Sequence, residues 1–136
     1  MNYTEQIARI KQLSQLFEVK YAAVDQTGVG EAVLEILKQT LPYTEGVIFT
    51  RDTKVQLTTS LRLSLEKKKL ALPNDPKLIM QMNSLRYTFS ISGNLLYRPP
   101  ESEKIHDDYL WALALAVYAA ERWIPTYKAV GVKKKW

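Results

Sequence analysis

The spacing of apolar and polar positions divides the chain into short, readable segments. Ile7, Ile10, Leu13 and Leu16 recur at helical intervals, which predicts a helix over residues 3–17. Asn2, followed three residues later by Glu5, has the form of a capping box at its start. Residues 19–24 (VKYAAV) are short and nearly apolar throughout, the pattern of a strand buried on both faces. Asp25 ends that run, and residues 27–30 form a turn containing Gly28 and Gly30. A second helix follows over 31–39, with Val33, Leu34 and Leu37 inward, until Pro42 breaks it. Residues 46–50 (GVIFT) are another short buried strand. A strand, a helix and a strand in that order favour parallel pairing and an α/β fold.

The rest of the chain reads as helices around a hairpin. Thr53 is placed to cap a helix reaching about residue 68, with Leu57, Leu61 and Leu65 four residues apart. Residues 73–76 (PNDP) form a turn before a short helix carrying Leu78, Ile79 and Met82. Leu85, Tyr87, Phe89 and Ile91 alternate with polar residues, and Ser92-Gly93-Asn94 turns the chain into residues 95–98, an antiparallel hairpin. Asp107 or Asp108 then caps a long apolar helix to about residue 123. Residues 124–136 form a basic tail, in which 126–132 have the composition of a short strand. With no repeat or linker, the 136 residues are expected to form a single domain.

Composition narrows the chemistry. There is no cysteine, which excludes a disulfide framework, a thiolate metal site and a cysteine nucleophile. A single histidine, His106, leaves little material for an imidazole cage. The apolar run 109–120 is too short to span a membrane, and the N-terminus lacks the form of a signal peptide, so a soluble cytoplasmic protein without membrane contact is expected. The net charge of +5 is uneven. Residues 51–98 hold Arg51, Lys54, Arg62, Lys67, Lys68, Lys69, Lys77, Arg86 and Arg98 against Asp52, Glu66 and Asp75. Such a field suits a polyanion, nucleic acid first among them, although exposed lysines are also ordinary surface.

Two acidic positions stand out. Asp25 lies at the C-terminal end of a strand, where α/β folds gather their sites. Asp107 and Asp108 start the long apolar helix. Carboxylates converging from a strand end and a helix start suit hard divalent cations such as Mg²⁺ or Mn²⁺. Each aspartate equally suits a helix cap. Gly28 and Gly30 supply only part of a dinucleotide fingerprint and read better as a tight strand-to-helix turn.

Residues 22–33 (AAVDQTGVGEAV) resemble the second acidic motif of the nuclease domain of phage-type terminase large subunits. Residues 61–78 with the LPNDPKL turn, the hairpin from Leu85 to Asn94, and residues 106–116 (HDDYLWALALA) resemble later motifs of the same family in the same order. The resemblance spans about residues 19–122. It implies a truncated RNase H-like (resolvase-like) fold: a β-α-β unit plus an antiparallel hairpin flanked by helices. It implies metal-dependent cleavage of double-stranded DNA during genome packaging. By position it makes Asp25, Asp108 and Asp107 catalytic, metal-binding carboxylates for Mg²⁺ or Mn²⁺. Trp111 stands where the family usually has a further aspartate. The family's first catalytic aspartate, on a strand before the first helix, has no counterpart, so weak or no activity alone is expected. The alternative is a non-catalytic DNA-binding or protein-interaction module of the same fold. Because the family's central strand is also lacking, a homo-oligomer, a partner chain or the tail is expected to cover the edge of the 19–24 strand.

Overall fold

A computed structural model of the chain describes residues 2–84, 86–89, 95–98 and 107–123. The order of elements is α1 (Tyr3–Leu16), β1 (Ala22–Asp25), α2 (Gln26–Thr40), β2 (Thr44–Val47), α3 (Arg51–Glu66), α4 (Pro76–Asn83), β3 (Arg86–Phe89), β4 (Leu95–Arg98) and α5 (Asp108–Arg122).

β1 and β2 pair in parallel, Ala22 opposite Thr44 and Asp25 opposite Val47, with α2 as the crossover. The β-α-β expectation is therefore met, with shifted limits. β1 begins at Ala22 rather than residue 19, and all four of its residues are half-buried, not buried on both faces. Val19 lies outside the strand and is exposed. β2 covers 44–47 rather than 46–50. Gly46, in β2, has no room for a side chain: a Cβ there would meet Leu34 Cδ2 at 2.6 Å and Gln26 Oε1 at 2.4 Å. That close approach seats α2 on the sheet through Leu34, which is buried with Leu37.

β3 and β4 form the expected antiparallel hairpin, Arg86 opposite Arg98 and Phe89 opposite Leu95, and β4 lies beside α3. The 92–94 turn, His106 and the tail, including 126–132, lie outside the described residues.

The core forms where α5 packs on α3, α4 and β1. Leu110, Ala114, Leu115 and Val117 of α5 meet Leu57 and Leu61 of α3 and Val47 of β2. Twelve of the fifteen residues of α5 are aliphatic or aromatic, so it can bury more than one stripe. In contrast α1 buries no residue at all, and Leu16 and Phe17 are 74% and 65% exposed. Its capping box forms as expected, with the Asn2 side chain accepting from Glu5 N–H at 2.9 Å and Glu5 Oε2 from Asn2 N–H at 3.0 Å.

The caps show local chemistry at work. Thr50, not Thr53, is the N-cap of α3; Thr53 is the residue that reaches back, its Oγ1 accepting from Thr50 N–H at 2.7 Å. Asp75 caps α4, accepting from Lys77 and Leu78 N–H, with Pro76 at the first helical position. The α3 helix closes two residues earlier than expected, in a Schellman turn. Lys69 N–H donates to Ser64 O and Lys68 N–H to Leu65 O, with Lys68 at a left-handed φ of 53°.

Candidate functional site

The direction of α5 decides what meets what. Near its C-terminal end, Tyr118 and Arg122 reach Glu45, close to the start of β2. Near its N-terminal end, Trp111 packs on Phe49, just past the end of β2, with ring centroids 5.3 Å apart. The helix thus runs antiparallel to the two strands. Its N-terminus, with Asp107 and Asp108, lies at the C-terminal strand end, the same end as Asp25.

Asp25 is the last residue of β1 and the N-cap of α2. Its Oδ1 accepts from Thr27 N–H at 2.9 Å and Gly28 N–H at 3.3 Å. Residues 26–29 are therefore a capped helical turn rather than a free loop. Gly30, at φ 76°, then breaks the helix, and α2 resumes beyond it. This conformation needs glycine. The hydroxyl of Thr27 accepts from Phe49 N–H at 2.8 Å, which ties the Asp25 turn to the segment carrying Phe49. Tyr3 of α1 also holds this turn, donating to Gly28 O at 3.1 Å.

Asp107 occupies the N-cap position of α5, but its side chain caps nothing. Instead Oδ2 accepts from the indole N–H of Trp111 at 2.7 Å. Gln81, 6% exposed on α4, takes over the capping: its Oε1 accepts from Leu110 N–H at 3.0 Å. This satisfies an otherwise unpaired donor in the first turn of a buried helix. Asp108 lies exposed in that same first turn. Lys54 of α3 completes the surroundings, its ammonium 5.5 Å from the Trp111 ring centroid.

Strand end and helix start thus come to one end of the sheet, bridged by Thr27, Phe49 and Trp111. The donor set is made of carboxylate oxygens, which suits Mg²⁺ or Mn²⁺ in kind. It is not complete in number: among the described residues no three acidic or histidine side chains group together. Thr27, Phe49, Trp111, Lys54 and Gln81 have no part in the sequence reading of the site. Trp111 is named there only as a departure from the family pattern, and Lys54 only among the basic residues of 51–98.

At the opposite end of the sheet is a second polar cluster. Glu45 accepts from Tyr118 OH at 2.6 Å, from Arg122 at 3.1 Å and from Tyr21 OH. Partial burial alone would raise the Glu45 pKa. The bonds from Arg122, Tyr118 and Tyr21 overcome this and hold it down to about 2. Burial and the facing Glu45 carboxylate push Tyr118 up to about 12. The hydrogen bond to Glu45, with some burial, also raises Tyr21.

Comparison with known proteins agrees with this architecture. The model of the Terminase RNaseH-like domain matches residues 1–120, so it takes in α1, which the motif resemblance over 19–122 left out. The large terminase subunits of Thermus phage G20c and Thermus virus P23-45 are each 36% identical over 115 residues, 84% of this chain but 23% of theirs. Crystal structures of the large terminase nuclease from thermophilic phage G20c, with bound cobalt or bound magnesium, superpose with a TM-score of 0.72 at 32% identity. Each match covers 87% of this chain and 62% of that one. The nuclease domain of the Thermus phage P74-26 large terminase gives 0.69 at 30% identity, over 85% and 59%. The chain thus spans under a quarter of the curated relatives' length and about three-fifths of the solved nuclease chains. No helix among the described residues is long and apolar enough to cross a membrane. With an RNase H-like α/β fold and a family match over most of its length, the chain belongs to the terminase RNaseH-like domain family.

Proposed function

We propose that this chain is part of a terminase-type nuclease that cuts double-stranded DNA during genome packaging, and that it acts as a single cytoplasmic domain. One observation carries the reading. Asp25 and the Asp107-Asp108 pair arrive at the same strand end, in a chain 32% identical to a nuclease crystallised with magnesium. Asp25, Asp107 and Asp108 would hold the divalent ion, Mg²⁺ or Mn²⁺, which when bound stabilises charge on the phosphate oxygens. The chain's own residues position that site. The Asp25 carboxylate is fixed by two backbone N–H groups, and the Thr27 hydroxyl locks its turn to the neighbouring segment. The exposed cations of α3 and of its closing turn supply a field that draws in the duplex.

A second reading, DNA binding without cleavage, is supported by the way the carboxylates are used. Asp25 serves as a helix cap and Asp107 is engaged by Trp111. Plasmid cleavage in Mg²⁺ and in Mn²⁺ tests the first reading, with Asp25→Asn and Asp108→Asn alongside. Metal-dependent nicking that both substitutions abolish is expected, at a low rate. Vigorous cleavage indifferent to both would refute the site. No cleavage, no Mn²⁺ binding by calorimetry, and DNA affinity that falls steeply with salt would establish the second reading.

A further inference from the structure

Trp111 is joined to Asp107 twice. Its backbone N–H donates to Asp107 O at 3.1 Å, the ordinary first bond of the helix, and its indole N–H donates to Asp107 Oδ2 at 2.7 Å. The second bond is short, as expected when the acceptor is charged. It also departs from the usual use of an aspartate in this place. At an N-cap the carboxylate accepts from the N–H of the second or third helical residue. Here the third N–H, that of Leu110, goes to Gln81 Oε1 at 3.0 Å, from α4 and 29 residues away in sequence. Gln81 is buried and supplies a fixed acceptor. The helix start is therefore satisfied without Asp107, whose half-buried carboxylate turns to the indole instead.

The indole is itself placed from outside its helix. Phe49 tilts against it with ring centroids 5.3 Å apart, and the Lys54 ammonium stands over the ring, 5.5 Å from its centroid. A cation over an indole is attracted to the ring's electrons, and drawing on them makes the N–H a stronger donor. Phe49 N–H is bonded to the Thr27 hydroxyl, in the turn that Asp25 caps. A continuous line thus runs from the Asp25 turn through Thr27, Phe49 and Trp111 to the Asp107 carboxylate.

We infer that Trp111 is a positioning residue for Asp107: its indole N–H fixes the direction of the carboxylate and holds it ready as an oxygen ligand for a divalent cation. This rests on the reading of Asp25 and Asp107 as ion ligands. Taking one oxygen does not exhaust the group, since a carboxylate offers about four lone-pair sites. A carboxylate already held by a hydrogen bond gives up less rotational freedom when it ligates, so it binds more tightly. Packing alone asks only for a large ring at this place; positioning asks for the N–H.

The test uses the whole chain and Mn²⁺ alone, by calorimetry. Trp111→Phe keeps a ring against Phe49 and removes the N–H. It should weaken Mn²⁺ binding roughly tenfold or more, with helical circular dichroism unchanged. Asp107→Asn should weaken binding as well. In that background Trp111→Phe should cost nothing further, because a residue that acts through the carboxylate has no carboxylate left to position. A merely structural role gives the same loss in both backgrounds, and that additive result overturns the inference. So does a Trp111→Phe chain that binds Mn²⁺ as the parent does. A parent that binds no Mn²⁺ overturns the ligand reading of the acids and the inference with it. If Trp111→Phe does not fold, nuclear magnetic resonance on the parent decides. With Trp123→Phe and Trp136→Phe marking the other two indoles, the Trp111 indole N–H signal should shift as Mg²⁺ is added. A signal that stays in place while the chain takes up Mg²⁺ overturns the inference and leaves the ligand reading standing.

Discussion

The two ends of the β1–β2 sheet use carboxylates in opposite ways. At the strand starts, Glu45 receives three side chains, Tyr21, Tyr118 and Arg122, that clasp α5 to the sheet. At the strand ends, Asp25 receives backbone N–H groups from its own turn, and Asp107 receives one indole from its own helix. The first arrangement joins distant elements and has its valences filled by them. The second holds Asp25 and Asp107 through bonds from near neighbours in sequence. An acid bonded by distant elements acts as a clasp, whereas the bonds at Asp25 and Asp107 orient each within its own turn. The difference lies in sequence separation: 24 to 77 residues at Glu45, two to four at the aspartates.

The sharpest break of this contrast is Glu45→Ala. It strands Arg122 and two tyrosine hydroxyls at once, and a loss of about 2–3 kcal/mol in denaturant unfolding is expected. A loss no larger than that of an ordinary surface substitution would dissolve the contrast. Next comes Gln81→Ala, which uncaps α5 beside the aspartates. It should cost about 1–2 kcal/mol, because Leu110 N–H is left buried without an acceptor. Acid titration follows. The folded pKa of Glu45 is about 2, below its ordinary 4.5, so its stabilisation is complete above about pH 4.5. As pH falls toward 2 that contribution is lost. Allowing for its partial solvent screening, the drop is on the order of 1 kcal/mol and should vanish in Glu45→Gln. The smallest effect belongs to Asp25→Asn, expected within about 0.5 kcal/mol because asparagine caps a helix as well as aspartate. A large loss there would make Asp25 a clasp like Glu45. Little loss of stability together with loss of metal-dependent cleavage would mark it as a ligand.

How much was legible in the sequence follows the same divide. Local patterns carried the β-α-β unit, the hairpin, the Asn2–Glu5 box and the position of Asp25. The shifted limits of β1 and β2 have a physical source: apolar composition extends past the residues that find backbone partners, so Val19 and Ile48 read as strand yet are exposed. Thr50 and Thr53 are both capping residues by type, and only their reciprocal bonds show which is the cap. The Ile7–Leu16 stripe predicts the helix, yet none of it is fully buried: Ile7 and Ile10 are half-buried and Leu13 and Leu16 exposed, because periodicity shows which face is apolar and not what covers it. Glu45 and Gln81 left no trace. Each is an ordinary polar residue whose partners come from elements far along the chain. At Trp111, the family pattern flagged a departure, and the structure supplies its local consequence: an indole bonded to Asp107.

The Schellman turn that closes α3 has a consequence for the chain's electrostatic landscape. A lysine at φ 53° is strained where glycine would be relaxed, and Lys68→Gly would ease the backbone by about 1 kcal/mol. Yet Lys67, Lys68 and Lys69 sit at the negative pole of the α3 dipole, where positive charge is favoured. The left-handed residue also ends the helix, and Lys67, Lys68 and Lys69 are all exposed at that turn. The turn thus concentrates three exposed positive charges at the helix end whose dipole favours them.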